Sequence, residues 1–209
     1  MVLNVERTIV RAVSVTFEIE VPVAIVGGGV CGLIAALAAR ERGTDALVLE
    51  RDPLPSGSTA LSARLISAAG TRFQAENSIR DSAQLLASDI QVKTKGRADP
   101  AVVASVAGPS GPAIKWLADD HGIPFELVAR FVYPGHSALR KHGTPNRTGP
   151  EFMGVLTGAA EMASVDLITD ASVTRLNADD DGRIAGLDIP EMADALNFGH
   201  PGKRGDAVR

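Results

Sequence analysis

The chain lacks most of the features that mark the common specialised classes of protein. It has one cysteine, Cys31, in 209 residues, which excludes an intramolecular disulfide and fits a reducing compartment. No apolar run approaches the roughly 18 residues that would suggest a membrane-spanning helix. Residues 1–20 carry Glu6, Arg7, Arg11, Glu18 and Glu20, so no secretory leader is expected and the cytoplasm is the default compartment. A net charge of −4 gives no basic footprint, so no nucleic-acid partner is expected. The histidines have no paired spacing with carboxylates and there is no second cysteine, so no metal site is expected. No Ser-His-Asp arrangement or nucleophile elbow is present to suggest a serine hydrolase. The remaining composition, 45% hydrophobic and 22% charged, is that of an ordinary globule, and the length suits one domain with appendages.

Against that plain background stands Val23-Ala24-Ile25-Val26 followed by Gly27-Gly28-Gly29-Val30-Cys31-Gly32. An apolar strand runs into a G-x-G-x-x-G turn that opens a helix. Gly27 permits the sharp turn off the strand, Gly29 lets the backbone approach a pyrophosphate, and Gly32 lets the helix lie close to the sheet. The helix amino terminus offers unpaired N–H groups and the positive end of its dipole. Leu33, Ile34 and Leu37 share a face of this helix, Gly43 is its expected stop, and Ala46-Leu47-Val48-Leu49 reads as a strand buried on both sides. Glu50 ends that strand, where a carboxylate can accept bonds from a ribose hydroxyl and would repel a 2′-phosphate. The unit predicts an α/β fold, a Rossmann-like FAD/NAD(P)-binding domain with a doubly wound parallel sheet. By itself it leaves FAD and NAD both open. Within it, Cys31 reads better as a small buried packing residue than as an activated thiol.

The rest of the chain supplies further expected elements. Val13, Val15, Phe17, Ile19 and Val21 alternate as in a half-buried strand, while Met1 to Arg11 is expected to be a loosely held extension. Asp81 or Ser82 caps a helix that turns Leu85, Leu86 and Ile90 inward and ends near Gly96. Asp99-Pro100 opens a helix to Ala107, and Ser110 with Pro112 opens another through Leu117 to Gly122. Residues 130–147 read as extended or looping chain. Thr148 and Glu151 have capping-box spacing before Phe152, Val155, Leu156, Ala159 and Ala160. Val165 to Leu176 reads as one strand, Asp181-Gly182 as a tight turn, and Ile184 to Ile189 as the return of a β-hairpin or meander. The aspartates at 179–181 lack calcium-loop spacing and read as a solvated turn. The expected division is an extension at 1–19, a partial FAD-binding domain at 20–189, and an irregular tail at 190–209 with a helical turn around Met192 to Leu196.

The small-residue stretch Ser56-Gly57-Ser58-Thr59-Ala60-Leu61-Ser62 and the run Ile66 to Thr71 follow the ribose-binding acid. Together with Asp99-Pro100, His121-Gly122-Ile123-Pro124-Phe125 and His142-Gly143-Thr144-Pro145-Asn146-Arg147-Thr148-Gly149, they make the chain, from roughly Val21 to Leu187, resemble a family of FAD-dependent oxidoreductases. That family comprises the fumarate reductase and succinate dehydrogenase flavoproteins and includes ketosteroid dehydrogenases. The resemblance implies an FAD cofactor and a substrate with an activated C–C bond, such as an unsaturated carboxylate or a ketosteroid. It implies cofactor contacts from Gly27, Gly28, Gly29, Cys31, Gly32, Glu50, Arg51, Ser58, Thr59, Ser62, Ala69 and Gly70, and from the Val173 backbone at the adenine end. Arg64 stands where members usually carry glycine. The family's capping domain and later cofactor segment are expected to lie beyond this stretch, which implies weak or no turnover alone, an open sheet edge, and self-association or a completing partner chain. His136, Arg140, His142 and Arg147 form a histidine and arginine constellation. Two readings apply to it: groups that steady an anionic substrate, with His142 and Arg147 the catalytic candidates, or a loop bonded to its own backbone and to solvent. His121, before a helix-ending glycine, is explained by the helix dipole.

Overall fold

The apolar run Ala46–Leu49 is buried at all four positions and forms the middle strand of a parallel sheet. A computed structural model of the chain describes residues 9–11, 17, 19–61, 65–189 and 206–208. It divides into two compact units, Met1–Thr59 with Ala160–Arg209, and Ala60–Ala159.

In the first unit, β2 (Val23–Val26), β3 (Ala46–Leu49) and β7 (Asp166–Ile168) pair in parallel in the order β2-β3-β7. Helix α1 (Val30–Glu41) connects β2 to β3 and buries Gly32, Leu33, Ala36 and Leu37. Gly43 at φ +71° turns the chain out of it. A second sheet has the order β1-β8-β9-β10, from β1 (Ile9–Arg11), β8 (Arg175–Ala178), β9 (Ile184–Ile189) and β10 (Asp206–Val208). Leu47, Leu49, Ala171, Leu187 and Ile189 form a shared core between the sheets, with Ile19, Val21, Val173 and Leu176 packed against it.

Three expectations about this unit change. Val165 to Leu176 is two strands rather than one, because the chain turns at Asp170 (φ +55°) and buries Ala171 before β8 begins. Residues 9–11 are paired with β8, and residues 206–208 with β9, so neither segment stands apart from the sheet. Asp181-Gly182 does turn the β8–β9 hairpin, with Gly182 at φ +79° and the Asp179 carboxylate accepting from the amides of Asp181 and Arg183. Val13, Val15 and the Met192 to Leu196 turn lie outside the described residues.

In the second unit, β4 (Ile66–Ser67), β5 (Glu126–Leu127) and β6 (Lys141–Gly143) form an antiparallel sheet in the order β4-β6-β5. Side-chain caps set its helices. Thr71 and Gln74 form a reciprocal capping box on α2 (Arg72–Glu76), Ser82 rather than Asp81 caps α3 (Ala83–Lys93), and Asp99 caps α4 (Pro100–Asp119) with Pro100 at its first position. Leu86 is buried in α3, whereas Leu85, expected inward, is 36% exposed.

The two helices expected on either side of Ser110 are one. Helix α4 runs through Pro109 and Pro112 although each removes a ladder donor. Its buried residues Val103, Ala107, Ser110, Gly111, Ile114 and Leu117 fall on one continuous face, so packing holds the helix together across the local break. The Ser110 hydroxyl returns a bond to the Ala107 carbonyl at 2.8 Å. Helix α5 (Gly149–Met162) starts at Thr148, whose hydroxyl accepts from the Glu151 amide. Only half the expected capping box forms, because the Glu151 carboxylate turns to the Thr144 hydroxyl (2.5 Å) and to the backbone and side-chain amides of Asn146 (3.0 Å). Among the described residues no helix is long and apolar enough to cross a membrane.

Candidate dinucleotide site

The glycine turn is built as its spacing requires. The Gly27 amide donates to the Leu49 carbonyl at 2.7 Å, and φ +101° at Gly27 swings the chain off β2. A Cβ on Gly32 would lie 1.9 Å from the Gly27 carbonyl oxygen, so α1 approaches its own entry turn as closely as only glycine allows. Gly29 is the N-cap of α1 and makes no side-chain capping bond. The Thr59 hydroxyl, 5% exposed, fills part of that place by accepting from the Val30 amide at 3.3 Å. The amino terminus of α1 behind this turn carries the positive end of the helix dipole, which fits a pyrophosphate.

Glu50 is buried beside the turn. One carboxylate oxygen accepts from the Gly28 amide at 2.7 Å and the other from the Asp52 amide at 3.0 Å. Arg51 is exposed and paired with Asp52 at 3.0 Å, an interaction that holds the Arg51 guanidinium above and the Asp52 carboxyl below their ordinary ranges. Ser58 is exposed. Val173 lies between β7 and β8 rather than on a strand, half-buried against the core that includes Ala171 and Leu187. Cys31 is exposed, not the buried packing residue expected, because it stands on the outer face of the first turn of α1 while Gly32 and Leu33 face inward. Ser62 and Arg64 lie outside the described residues.

In the second unit, the Ala69 amide is taken by the Ser110 hydroxyl at 3.2 Å, and Gly70 turns at φ +73°. A Cβ on Gly111 would come within 2.3 Å of the Ala69 carbonyl oxygen, so α4 holds this loop closely. The histidine and arginine constellation does not share one environment. Arg140 is fully buried, its guanidinium bonded to both oxygens of Asp81 at 2.9 Å and to Asp89 at 2.6 Å. Burial pushes the Asp89 carboxyl up, but bonds from Ser137 and Arg140 outweigh it and hold that group below its ordinary value. His142 is also fully buried. Its Nδ1–H donates to the Arg140 carbonyl at 3.0 Å, which leaves Nε2 to accept from the Thr71 hydroxyl at 2.8 Å. Burial pushes the His142 imidazole pKa down, in keeping with a neutral ring. Arg147 is exposed at φ +54°. Burial and the positive charges of Lys141 and Arg140 lower the His136 pKa. No group of metal ligands occurs among the described residues.

Sequence reasoning missed the partners of these groups: Asp81 and Asp89 for Arg140, Thr71 for His142, and the Gly28 and Asp52 amides for Glu50. Only the Thr71–Gln74 box carried a local signal, its three-residue capping spacing.

The FAD binding domain model of known protein families matches residues 22–201. A urocanate reductase of Eggerthella lenta is 28% identical over 175 residues, covering 83% of this chain and 29% of its own length. A fumarate reductase of Schizosaccharomyces pombe is 27% identical over 183 residues, covering 83% of this chain and 35% of its own length. The chain therefore spans about a third of the length of these curated relatives. The fold also matches the open conformation of a flavocytochrome c3 fumarate reductase, with a TM-score of 0.78 at 22% identity over 91% of this chain and 32% of that one. With the glycine turn, its acid and the parallel sheet in place, the chain belongs to the FAD binding domain family, and its cofactor is FAD.

Proposed function

We propose that the chain forms the dinucleotide-holding part of a flavin-dependent oxidoreductase that acts on an activated C–C double bond, in the manner of the fumarate and urocanate reductases it resembles. The observation that carries this reading is the closed packing of Gly27–Gly32 against β2 and α1, with the Glu50 carboxylate at the turn. When bound, FAD supplies hydride exchange at its N5 position. Gly27, Gly28, Gly29 and Gly32 leave room for the pyrophosphate, with Cys31 on the same turn. The α1 amino terminus and the Thr59 hydroxyl hold its charge, and Glu50 accepts from the ribose. Arg51, Ser58 and the Val173 backbone are assigned to the remaining cofactor contacts within this unit. Of the two catalytic candidates, exposed Arg147 suits contact with a substrate carboxylate, whereas buried His142 suits support of the Thr71 cap. The substrate class assigned is an unsaturated carboxylate.

Assayed alone, the 209 residues are expected to turn over weakly, since the matched relatives are about three times as long. A completing chain or self-association is supported by β2, an outer strand of its sheet among the described residues, where Val26 is 59% exposed. Light scattering at high concentration checks this, and a monodisperse monomer sinks it. The functional test is to load the protein with FAD, release the cofactor by heat, and follow fumarate or urocanate reduction with a chemical reductant. Released flavin supports the assignment. Failure to take up FAD, or preferential binding of a nicotinamide dinucleotide, overturns it. Fast substrate-dependent turnover overturns the expectation of weak activity.

A further inference from the structure

A residue that served only to receive a ribose would give neither carboxylate oxygen to the protein's own backbone. Glu50 gives both. It is 7% exposed, and both of its oxygens already accept backbone amides, Gly28 at 2.7 Å and Asp52 at 3.0 Å. Its own main chain is fixed on both sides, the amide donating to the Ile168 carbonyl at 2.8 Å and the carbonyl accepting from Ala171 at 2.9 Å. The turn is equally confined from its side. A Cβ on Gly28 would lie 3.0 Å from the Pro55 Cβ and 3.2 Å from both the Glu50 Cβ and a carboxylate oxygen.

We propose that Glu50 is a positioning residue for the glycine turn, holding the Gly28 amide in the cofactor-free protein and retaining that bond when ribose is bound. The second half of this rests on the FAD reading above. A carboxylate has about four acceptor positions, so two backbone amides leave about two for ribose hydroxyls. A charge-assisted bond inside a buried turn is among the stronger ones a side chain makes. With the turn fixed beforehand, the helix amino terminus at Gly29 needs no ordering when the cofactor arrives, which favours affinity through preorganisation.

The experiment is amide hydrogen exchange at Gly28 by NMR, with and without ADP, on the wild-type chain and on Glu50→Ala and Glu50→Gln, alongside ADP titrations. The Gly28 amide is expected to be protected in the cofactor-free wild type and to stay protected with ADP. Glu50→Ala should lose that protection and weaken ADP binding about 10- to 100-fold. Glu50→Gln keeps a carbonyl oxygen for Gly28, and should restore most of the protection while recovering only part of the affinity. An unprotected Gly28 in the cofactor-free wild type, or protection that disappears with ADP, overturns the proposal. So does cofactor-free exchange unchanged by Glu50→Ala, the pattern of a ribose acceptor alone. If Glu50→Ala does not fold, the wild type and Glu50→Gln still decide. Should the wild type bind neither ADP nor FAD, the functional reading fails, while exchange in the cofactor-free protein still tests the bond to Gly28.

Discussion

The glycine turn of the first unit and the Arg140–His142 network of the second both bury charged or polar groups, but they use them in opposite ways. Around the turn, the principal donors are backbone amides, gathered at a helix amino terminus beside a single carboxylate. In the network, Arg140 meets Asp81 and Asp89, and His142 meets Thr71 and a carbonyl, so each charge or polar atom named is spent on another part of the protein. The first arrangement leaves acceptor capacity on its carboxylate, and the second spends the charges it buries on one another. Residue type is therefore a poor guide to a site. Arg140 and His142, which the sequence leaves open between a substrate-side role and a loop bonded to itself, are bonded within the protein, while glycines shape the turn at the amino terminus of α1.

The largest effect should come from opening the network. Arg140→Ala leaves two carboxylates without their buried cation, and is expected to cost about 3–5 kcal/mol of stability, read by denaturant unfolding. A loss below about 1 kcal/mol would show that water replaces the guanidinium easily and that the network is not the closed structure described. Gly32→Ala attacks the turn instead. The new methyl meets the Gly27 carbonyl, so the helix must shift at an expected cost of about 1–3 kcal/mol, together with loss of FAD uptake measured by flavin fluorescence. If FAD binding survives that substitution, the turn is not the pyrophosphate site. The smallest effect is one of pH. Burial lowers the His142 pKa in the folded protein, so below the unfolded value of 6.5 the unfolded chain binds a proton that the folded ring does not. Stability should therefore fall as pH drops through 6.5 toward the lower folded value, and His142→Gln should flatten that part of the profile. An unchanged profile in the variant would place the pH dependence elsewhere.

The β2–α1–β3 unit and the helix caps were legible in the sequence because their signals are local. Gly27, Gly29 and Gly32 act on neighbours within a turn, Leu33 and Leu37 repeat at the helical period, and Ser82 and Asp99 cap the residues that directly follow them. The strand expected from Val165 to Leu176 failed because apolar residues alone do not show where a chain leaves one sheet for another. The break expected between Ala107 and Ser110 failed for the converse reason, since a face running from Val103 to Leu117 outweighs two prolines. Cys31 was misplaced because a glycine-rich turn fixes the path of the backbone but not which side of the helix's first turn meets solvent.

By itself, the sequence determined the β2–α1–β3 unit and its glycine turn, since glycine spacing and strand burial act over distances the chain covers in a few residues. Only the tertiary structure decided the fate of the charged groups. Arg140 reaches Asp81 and Asp89 across 59 and 51 residues, and Glu50 reaches Gly28 across 22. No pattern along the chain encodes such partners, because a buried charge is settled by whatever packing brings within hydrogen-bond reach.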